Sequence, residues 1–372
     1  MSYQIIHILP GKANPNTQNG VNIVVDALAN EQQKMGLSVC VMGVASNTVK
    51  RHNPTYHYKL FERSWNRLHC KKEWTDFLLG ASDEHTVFHF HSVFMPWYLS
   101  LIRLLKRNGR NHIVLTPHGQ YVDAAMRPLR KRLCFYFFDR HILREVERVH
   151  LLAELTEKNA FIENNAHQVE VIPNGIYCED TDEQRLPSKL KIGFLGRLEC
   201  RQKGLDVLIQ AFSQYKKEGG NATLALAGSG PDEHKLKEMA LTLNISDSVV
   251  FVGKVLAGAK QQFIRSCAAF ISPSRWEGIP LSCLEVASEG CPLLITRQTN
   301  LEPYVVRHHA GIVIPECEKN NVLKLLHDFE KAYTNKNKYR TICRGAREMI
   351  VKELNWPTIT RKMVETLYGI KI

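Results

Sequence analysis

Short apolar runs rich in β-branched residues recur along the chain, and they restrict it to one class of fold. Segments with helical periodicity separate nine of these runs, which span residues 5–9, 39–43, 86–91, 112–117, 191–195, 223–227, 249–252, 268–272 and 292–296. Strands that alternate with helices form βαβ units, whose parallel strands are covered by helices on both faces. The sequence therefore predicts an α/β protein with doubly wound parallel sheets.

The runs fall into two series, which indicates two domains. The chain has 372 residues, and a domain usually takes roughly 100 to 200. A polar stretch at 177–189 separates the series, so we predict two doubly wound domains joined in this region. Ligands of open α/β sheets bind beyond the carboxyl ends of the strands. We therefore expect the functional residues in the strand-to-helix loops.

Composition and targeting signals favour an intracellular enzyme. The ten cysteines are scattered, with no C-x-x-C pair and no Cys/His cluster at zinc spacing, so we expect reduced thiols. No apolar run approaches the roughly 18 residues of a membrane span, and the first residues do not resemble a signal peptide. The sequence predicts a cytoplasmic protein.

The positive charge is concentrated in one part of the chain. The net charge is +12, and residues 101–150 hold eleven Lys or Arg against four Asp or Glu. This segment could be a solvated helix face, a contact with a membrane surface or anionic lipid, or a nucleic-acid contact. Composition alone leaves these three alternatives open.

The loop after run 191–195 carries two cations at the expected ligand edge. A guanidinium at Arg197 and an ammonium at Lys203 suit a diphosphate and the negative charge that it gains as a leaving group. Arg201 lies between them and competes for either role. An arginine and a lysine six residues apart form a weak signal by themselves, so an exposed loop without a ligand is the alternative.

The loop after run 268–272 leads into a short helix. Pro280 fits the first turn of a helix and Gly290 its C-terminal stop, so Glu277 precedes this helix and Glu285 lies inside it. We expect the amides of residues 279 to 281 and the positive end of the helix dipole to face phosphate or sugar oxygens.

The first half offers weaker candidates. His118 follows the run 112–117 and lies at the same kind of edge, where a purely structural histidine is the alternative. Gly20, in a loop before a helix over 23–35, would let the backbone approach a phosphate closely. His89 and His91 alternate with phenylalanines at strand period, which predicts that one of them faces the core. We expect neither to bind a metal, since no third ligand stands at a convincing spacing.

Together these loops resemble those of the family 4 retaining glycosyltransferases. The resemblance rests on motifs in a fixed order: Ile172-Pro-Asn-Gly-Ile176, Phe194-Leu-Gly-Arg197 with Lys203-Gly204, Leu226-Ala-Gly-Ser-Gly-Pro231, Val250-Phe-Val-Gly253, and Ser272-Pro-Ser-x-x-Glu277-Gly-x-Pro-x-x-x-x-Glu285. It implies the GT-B architecture, with two Rossmann-like domains facing a cleft. The first domain, over 1–175, would bind the acceptor, and the second, over 176–352, a sugar nucleotide. The segment 354–368 is similar to the family's final helix, so residues 353–372 would cross back to the first domain.

The resemblance also implies a role for each candidate residue. Arg197 and Lys203 would clamp the donor diphosphate, with Lys203 favoured over Arg201 because it precedes Gly204. Glu285 would bind the ribose hydroxyls and His118 the sugar. The donor hexose or its β-phosphate would be held by Glu277, Gly278, Ile279, Pro280 and Leu281.

Two features bear on the remaining expectations. The family often has paired glycines where this chain has Asn19-Gly20, which weakens the predicted phosphate contact at Gly20. The D-x-D element Asp180-Thr-Asp182, which resembles the metal-binding pair of transferases with another fold, falls in the predicted linker. We expect neither a metal nor a cofactor, and the nucleotide diphosphate sugar acts as co-substrate.

These expectations combine into one function. The chain is predicted to transfer a hexose, with retention, from a UDP-linked donor to a saccharide acceptor, by a same-face displacement or a short-lived covalent intermediate. The favoured acceptor is a lipid-linked oligosaccharide of bacterial surface polysaccharide (O-antigen or capsule) synthesis. The basic stretches 103–110 and 127–148 would then rest on the inner face of the plasma membrane.

Two other functions remain open at this point. A sugar-nucleotide 2-epimerase of the same architecture would share the diphosphate site but need no second saccharide. A basic nucleic-acid-binding protein is the non-enzymatic alternative. No recognised nucleic-acid module is present, so we expect no nucleic-acid partner.

Overall fold

The chain folds into two compact units. The computed structural model describes residues 2–14, 19–46, 54–63, 70–154, 159–178, 187 and 189–372. One unit consists of Met1–Asn174 together with Trp356–Ile372, and the other of Gly175–Asn355. The chain thus re-enters the first unit at Trp356 rather than at residue 353.

Each unit is built on one parallel sheet. In the first unit the strand order is β3-β2-β1-β4-β5-β6-β7, and in the second it is β10-β9-β8-β11-β12-β13. The strands are β1 Ile5–Leu9, β2 Val39–Ala45, β3 His57–Glu62, β4 Val87–His91, β5 Ile113–Thr116, β6 Arg148–Leu151, β7 Val169–Val171, β8 Lys191–Leu195, β9 Thr223–Ala227, β10 Val249–Gly253, β11 Ala269–Ser272, β12 Leu293–Thr296 and β13 Gly311–Ile314.

Helices connect the strands within each unit. They are α1 Gly20–Lys34, α2 Lys72–Gly80, α3 Trp97–Arg107, α4 Leu129–Cys134, α5 Arg140–Glu145, α6 Ala160–Glu163, α7 Cys200–Lys203, α8 Leu205–Lys217, α9 Glu233–Thr242, α10 Ala257–Ser266, α11 Leu281–Ser288, α12 Glu302–Arg307, α13 Lys319–Thr334, α14 Lys336–Lys352 and α15 Trp356–Lys362. Two π-helical turns, Phe135–Asp139 and Met363–Leu367, extend α4 and α15.

In both sheets the order of the strands reverses at one position, the switch point, where functional loops are expected. In the first sheet, strands β1 to β3 follow one another to one side, and strands β4 to β7 follow one another to the other side. In the second sheet the same change of side falls between β8 and β11. Loops at the carboxyl ends of these neighbouring strands diverge and leave a crevice between them. The topology therefore directs attention to the loops that follow β8 and β11 in the second unit.

The predicted fold class is confirmed, and all nine predicted strands form. Four further strands were missed: β3, β6, β7 and β13. Polar residues interrupt the apolar pattern of β3, β6 and β7, so these three lack the continuous run that marks a buried strand. β13 is apolar, but it has only four residues and lies at a sheet edge. In the part of the chain that the structure describes, no helix is both long and apolar enough to cross a bilayer.

Candidate active site

Two predicted loops of the second unit meet because their strands are neighbours. β8 and β11 pair directly, with Phe270 opposite Gly193, so their carboxyl ends lie side by side. The loop after β8 contains Arg197 and the short helix α7. The loop after β11 contains Glu277 and leads into α11. The sheet thus brings together two segments that are more than 70 residues apart in sequence.

Gly204 allows close contact between these two loops. It has φ of +66°, in the left-handed region that favours glycine, and it ends α7. A Cβ atom on Gly204 would lie only 2.2 Å from the carbonyl oxygen of Pro273. The backbone N–H of Arg275 also donates to the carbonyl of Gln202 at 2.7 Å. This tight backbone packing holds Lys203 against the loop that carries Glu277.

The Lys203 ammonium forms an ion pair with the Glu277 carboxylate. The two side chains are 16% and 9% exposed, so most of the pair is shielded from water. Glu277 also accepts hydrogen bonds from the Ser274 hydroxyl at 2.8 Å and the Gln202 side-chain amide at 3.3 Å. The structure thus joins two of the predicted site residues in one hydrogen-bonded cluster.

Asn300 supports this cluster from the loop after β12. Its side-chain amide donates to the carbonyl oxygens of Glu277 at 2.9 Å and Gly278 at 2.7 Å. Asn300 has φ of +62°, a conformation that asparagine tolerates better than most residues. The sequence analysis missed it, although it follows a predicted strand and so belongs to the same edge of the sheet.

Glu285 has a different partner from Glu277. Its carboxylate accepts from the Lys260 ammonium at 2.7 Å, and the two side chains are about a quarter to a third exposed. Lys260 lies on α10, and nothing in the local sequence singled it out. The two glutamates therefore occupy separate ionic environments within the second unit.

The remaining cations of these loops differ in how firmly they are held. Arg275 forms a two-pronged pair with Asp206, at 3.1 and 3.0 Å, and this pairing raises the pKa of its guanidinium. The Arg201 guanidinium lies 5.8 Å from the ring centroid of Trp276, a cation–π distance. Arg197 is 66% exposed, and its Nε lies 3.7 Å from a carboxylate oxygen of Glu199. Arg197 is therefore accessible to an anionic ligand.

The expectation for the helix start needs one correction. α11 begins at Leu281 with Pro280 as its N-terminal cap residue. Proline has no backbone N–H, so the prediction that residue 280 supplies an amide donor was wrong. Leu281 and Ser282 lie in the first turn, where amides have no acceptor within the helix. Ile279 precedes them and is buried.

In the first unit, Gly20 lies at a helix start rather than within a loop. The Asn19 side chain accepts from the Val21 N–H at 3.0 Å, so Asn19 caps α1 and Gly20 is the first helical residue. The predicted helix over 23–35 therefore begins earlier than expected. Residues 15–18 of the preceding loop and the Asp180–Asp182 element lie outside the described residues.

His118 occupies a left-handed turn directly after β5. Its φ is +54° and that of Gly119 is +72°; such a conformation is uncommon for a residue with a side chain and is typical of functional sites. Its Nε2 lies 3.1 Å from Nδ1 of His91. Burial, together with the nearby His150, lowers the pKa of His118 to about 3.

The prediction that only one of His89 and His91 faces the core was wrong, and the structure places a third histidine beside them. Both imidazoles are fully buried, because residues two apart on a strand share one face. A third histidine, His7, lies on the neighbouring strand β1 in register with His89. One ring nitrogen from each of these three histidines falls within 4.8 Å of the others. The sequence spacing could not reveal this cluster.

Two doubly wound Rossmann-like units, with charged side chains gathered at the switch point of the second sheet, define a protein with the GT-B glycosyltransferase fold. Comparison with known families agrees. The profile described as "Glycosyltransferase Family 4" matches residues 18–180, and the one described as "Glycosyl transferases group 1" matches residues 179–349. The chain belongs to these glycosyltransferases, as the resemblance predicted.

Individual relatives are distant. A GDP-mannose-dependent alpha-(1-6)-phosphatidylinositol monomannoside mannosyltransferase of Mycolicibacterium smegmatis is 24% identical over 78% of each chain. For five other curated relatives, the matched stretch spans only 21% to 45% of their own length.

Solved structures share the fold over nearly the whole chain. Anabaena HepE, in complex with UDP and glucose, is 15% identical with a TM-score of 0.73, over 99% of this chain and all of that one. WaaG, a glycosyltransferase involved in lipopolysaccharide biosynthesis, is 15% identical with a TM-score of 0.67, over 98% of this chain and all of that one.

Proposed function

We propose that this protein is a retaining hexosyltransferase that moves a sugar from a UDP-linked donor to a lipid-linked saccharide acceptor during bacterial surface polysaccharide synthesis. The observation that carries the proposal is the cluster of Lys203 and Glu277 at the switch point of the second sheet, beside the accessible Arg197. The family membership indicates the class of reaction, which is sugar transfer. The cluster is where we propose that this reaction takes place.

The chemistry of the cluster suits departure of a nucleoside diphosphate. Breaking the bond from sugar to diphosphate places negative charge on the phosphate oxygens, and fixed cations and N–H groups stabilise that charge. Lys203 has three N–H donors; one is used by Glu277, so another can bind a phosphate oxygen. Arg197 adds a two-pronged donor. Neither a bound metal nor an organic cofactor is required in this proposal.

The other candidate residues complete the donor site. Ile279, Leu281 and Ser282 offer backbone N–H groups near Gly278 and Pro280, and Glu277 is held in place to accept from a hexose hydroxyl. Glu285, paired with Lys260, is assigned to the ribose hydroxyls.

In the first unit, His118 is assigned to the donor hexose. Gly20 at the start of α1 is a minor contributor. These roles rest on the family resemblance as well as on the local geometry.

A donor screen tests the first half of the proposal. A ligand that binds only the native state raises the unfolding temperature, so the protein is heated with UDP-glucose, UDP-galactose, UDP-N-acetylglucosamine and GDP-mannose. We expect a UDP-sugar to stabilise it most, whereas a response to GDP-mannose alone would replace UDP in the proposal. Anomeric NMR of the transfer product then tests retention.

A matched pair of arginine variants tests the assigned site. Arg197→Ala is expected to lower kcat/KM for transfer by about 100-fold, the usual cost of losing one donor to a developing charge. Arg265 is also a half-exposed arginine paired with a glutamate, Glu289 at 2.8 Å, but on α10; Arg265→Ala is expected to retain activity. Equal activity in both variants would contradict the assignment.

The acceptor side of the proposal rests on an exposed apolar stripe. Leu129, Leu133, Tyr136 and Phe137 follow i, i+4, i+7, i+8 spacing along α4 and its π-helical turn, so they lie on one face. They are 48% to 69% exposed. An apolar face of this size is costly in water and typical of a membrane or protein contact.

Cations surround this stripe and favour a membrane as its partner. Arg127, Arg130 and Arg132 are exposed beside it, and the guanidinium of Arg140 covers the Tyr136 ring at 3.8 Å. Apolar side chains flanked by arginines are the pattern of a helix that lies in the interface of an anionic bilayer. An enzyme held there meets acceptors carried on a lipid.

Flotation with vesicles tests the membrane contact. We expect binding to vesicles that contain phosphatidylglycerol and little binding to neutral vesicles. Arg130→Glu with Arg132→Glu should weaken binding at least thirtyfold, at about 1 kcal/mol per charge removed. Leu133→Ser should also weaken it, whereas Leu241→Ser should not; Leu241 lies in the second unit and is even more exposed, at 65% against 48% for Leu133. Unchanged flotation of both α4 variants would refute the contact.

A further inference from the structure

A continuous row of buried polar side chains crosses one face of the first sheet. It comprises His7 on β1, His89 and His91 on β4, Thr116 on β5 and His150 on β6, covered by Gln32 of α1 and Tyr368 after the last π-helical turn. We call these seven residues the histidine array. Its side chains are hydrogen-bonded end to end, from the carbonyl of Ile172 to the imidazole of His118.

The carbonyl oxygen of Ile172 fixes the protons at one end. It can only accept, so His150 Nε2, at 2.7 Å, must carry a hydrogen. Burial lowers the pKa of His150 to about 4, so the ring is neutral at pH 7 and its Nδ1 is bare. The Thr116 hydroxyl, 2.8 Å from that bare nitrogen, must donate to it. Its oxygen therefore accepts from Nε2 of His89 at 2.6 Å. His89 is thus also protonated on Nε2 and bare on Nδ1.

The same logic continues through the covering helices. The Tyr368 hydroxyl lies 2.7 Å from the bare Nδ1 of His89 and must donate to it. The tyrosine oxygen then accepts from the side-chain amide nitrogen of Gln32 at 3.4 Å. This orientation turns the Gln32 carbonyl toward His7, whose Nε2 donates to it at 2.8 Å. The amide orientation is therefore set by its neighbours on both sides.

The last steps lead to His118. His7 is bare on Nδ1, so Nε2 of His91 donates to it at 2.9 Å. His91 is then bare on Nδ1 and accepts from Nε2 of His118 at 3.1 Å. Only one tautomer of His118 is compatible with this chain of bonds: hydrogen on Nε2 and a lone pair on Nδ1.

We propose that the histidine array is a positioning device that fixes His118 in its neutral, Nε2-protonated tautomer, so that Nδ1 presents a hydrogen-bond acceptor to a hydroxyl of the donor sugar. This inference rests on the proposed function for the contact with sugar, and on the hydrogen bonds alone for the tautomer. Gln32, Tyr368 and Thr116 are then positioning residues, which act on the sugar only through His118.

Burial supports a neutral array. It lowers the pKa of His7 and of His150 to about 4, and those of His89 and His91 well below the usual histidine value. No member of the array is among the buried side-chain atoms that lack a hydrogen-bond partner in the described residues. A fully satisfied polar network of this kind is rigid and specifies one arrangement.

The same bonds argue against a metal at His7, His89 and His91. A metal ion needs a bare nitrogen from each ring directed at one point. Here the bare Nδ1 of each ring accepts a hydrogen bond, from His91, Tyr368 and His118 respectively. Binding an ion would break all three bonds and disconnect His118 from the array.

The fixed tautomer defines a class of sugar. A bare ring nitrogen accepts from a hydroxyl but repels a carboxylate, which can only accept when ionised. The array therefore favours a neutral hexose over a uronic acid at the sugar position that His118 contacts. Discrimination of this kind arises because the wrong group leaves a polar atom without a partner.

Nitrogen NMR of protein labelled with ¹⁵N-histidine tests the tautomer directly. Two-bond ¹H–¹⁵N spectra distinguish a protonated from a bare ring nitrogen, and His118→Asn identifies the His118 signals by their loss. We expect His118 to show the neutral Nε2–H pattern at pH 7, unchanged by Zn²⁺. An Nδ1–H pattern, a charged ring or a stoichiometric Zn²⁺ shift of the array signals would overturn the inference.

A matched pair of tyrosine variants tests the positioning role. Tyr368→Phe frees the Gln32 amide to rotate, so the His118 signals should become a mixture of tautomers. Affinity for the UDP-sugar should then fall about fivefold, while affinity for UDP itself should not change. Tyr98→Phe also removes a buried hydroxyl, one that donates to the backbone carbonyl of His91 at 2.7 Å. Tyr98→Phe should leave the His118 tautomer, and the ratio of the affinities for the UDP-sugar and for UDP, as in the wild type.

A second site protects the test against a variant that does not fold. Thr116→Val breaks the link to Ile172 and should have the effect of Tyr368→Phe, whereas Thr116→Ser keeps the hydroxyl and should restore the wild-type signals. A wild-type His118 pattern in both Thr116→Val and Tyr368→Phe would overturn the positioning role. If the spectra behave as expected but no sugar nucleotide binds the wild type, the transferase proposal fails instead.

Discussion

The ion pair between Lys203 and Glu277 offers the sharpest test of the candidate site, because it separates the contribution of a charge to stability from its contribution to catalysis. The perturbation is a double-mutant cycle of Lys203→Met, Glu277→Gln and the two together. Each single change leaves one member of the pair without its partner. The double change replaces the pair by neutral groups of similar size.

The magnitude follows from the burial of the pair. Removing one partner of a buried ion pair costs about 3 to 5 kcal/mol, since the remaining charge is left in a poor solvent. The Lys203 and Glu277 side chains are 16% and 9% exposed, and Glu277 keeps its bonds to Ser274 and Gln202. We therefore expect the lower end, about 3 kcal/mol, for Lys203→Met. The double variant should recover part of this loss, which gives a coupling energy of about 2 kcal/mol.

Urea denaturation followed by circular dichroism measures the cycle, and a transfer assay follows in parallel. For transfer, Lys203→Met should lose a factor of 100 to 1000 if its charge stabilises the departing diphosphate. The double variant should regain stability without regaining activity. As a control, the exposed pair of Lys324 and Asp328, with side chains 75% and 37% exposed, should give a coupling below about 1 kcal/mol.

Two results would refute this reasoning. Additive losses within about 0.5 kcal/mol would mean that the pair does not form in solution. Near-normal transfer by the double variant would mean that Lys203 serves only to satisfy Glu277.

Three further predictions test the surrounding structure. Gly204→Ala should lower the unfolding free energy by at least about 2 kcal/mol and abolish transfer, because its φ is +66° and the Pro273 carbonyl lies 2.2 Å from the added Cβ; a stable, active variant by urea titration would contradict this packing. Lys260→Met should weaken binding of UDP more than tenfold by calorimetry if it fixes Glu285 for the ribose, and unchanged affinity would exclude that role. Acidification from pH 6.5 to about 4 should destabilise the fold. In this range His7 and His150, whose pKa values are lowered to about 4, take up protons only on unfolding, which costs up to about 1.4 kcal/mol per pH unit each. Burial raises the pKa of Asp139 to about 7, so this carboxyl group binds a proton in the folded state and opposes the loss of stability on acidification. Asp139→Asn should therefore make the free energy of unfolding fall more steeply between pH 7.5 and 5.5. If this variant were more stable at pH 5.5 than at pH 7.5, the buried histidines would not be neutral.

The sequence predicts the sheets well because buried parallel strands must be apolar on both faces. All nine continuous runs became strands, and the reversal of strand order then indicated the loops of the candidate site. In the described sheets, the edge strands β3, β7 and β13 were missed, whereas the edge strand β10 was predicted. β3 alternates exposed and buried residues, and β7 has only three residues, none of them fully buried. An edge strand is satisfied by one neighbour and one covered face, so its sequence is less constrained.

The sequence could suggest the individual residues of the candidate site, but not which of them form pairs. Arg197, Lys203, Glu277 and Glu285 were chosen because they follow strand ends, which is a local property. That Lys203 pairs with Glu277, and Glu285 with Lys260, depends on which loops the sheet places together. Lys260 was missed for the same reason, since nothing in its own segment distinguishes it from an ordinary surface residue. Asn300 follows a predicted strand, but its support of the Glu277 loop depends on the fold.

The two units use their switch points in chemically opposite ways. In the second unit the loops after β8 and β11 hold ion pairs, and Arg197 remains open to an anion. In the first unit the corresponding strands, β1 and β4, carry His7, His89 and His91, which burial keeps neutral. A charged cluster suits a phosphate group, whose recognition is weakened by salt. A neutral array suits hydroxyl groups, whose recognition depends on which atom carries a proton. We therefore expect added salt to weaken binding of the free nucleotide but to leave the preference for one sugar over another unchanged. The reason is that charge selects the phosphate group, whereas the tautomer of His118 selects the sugar hydroxyl.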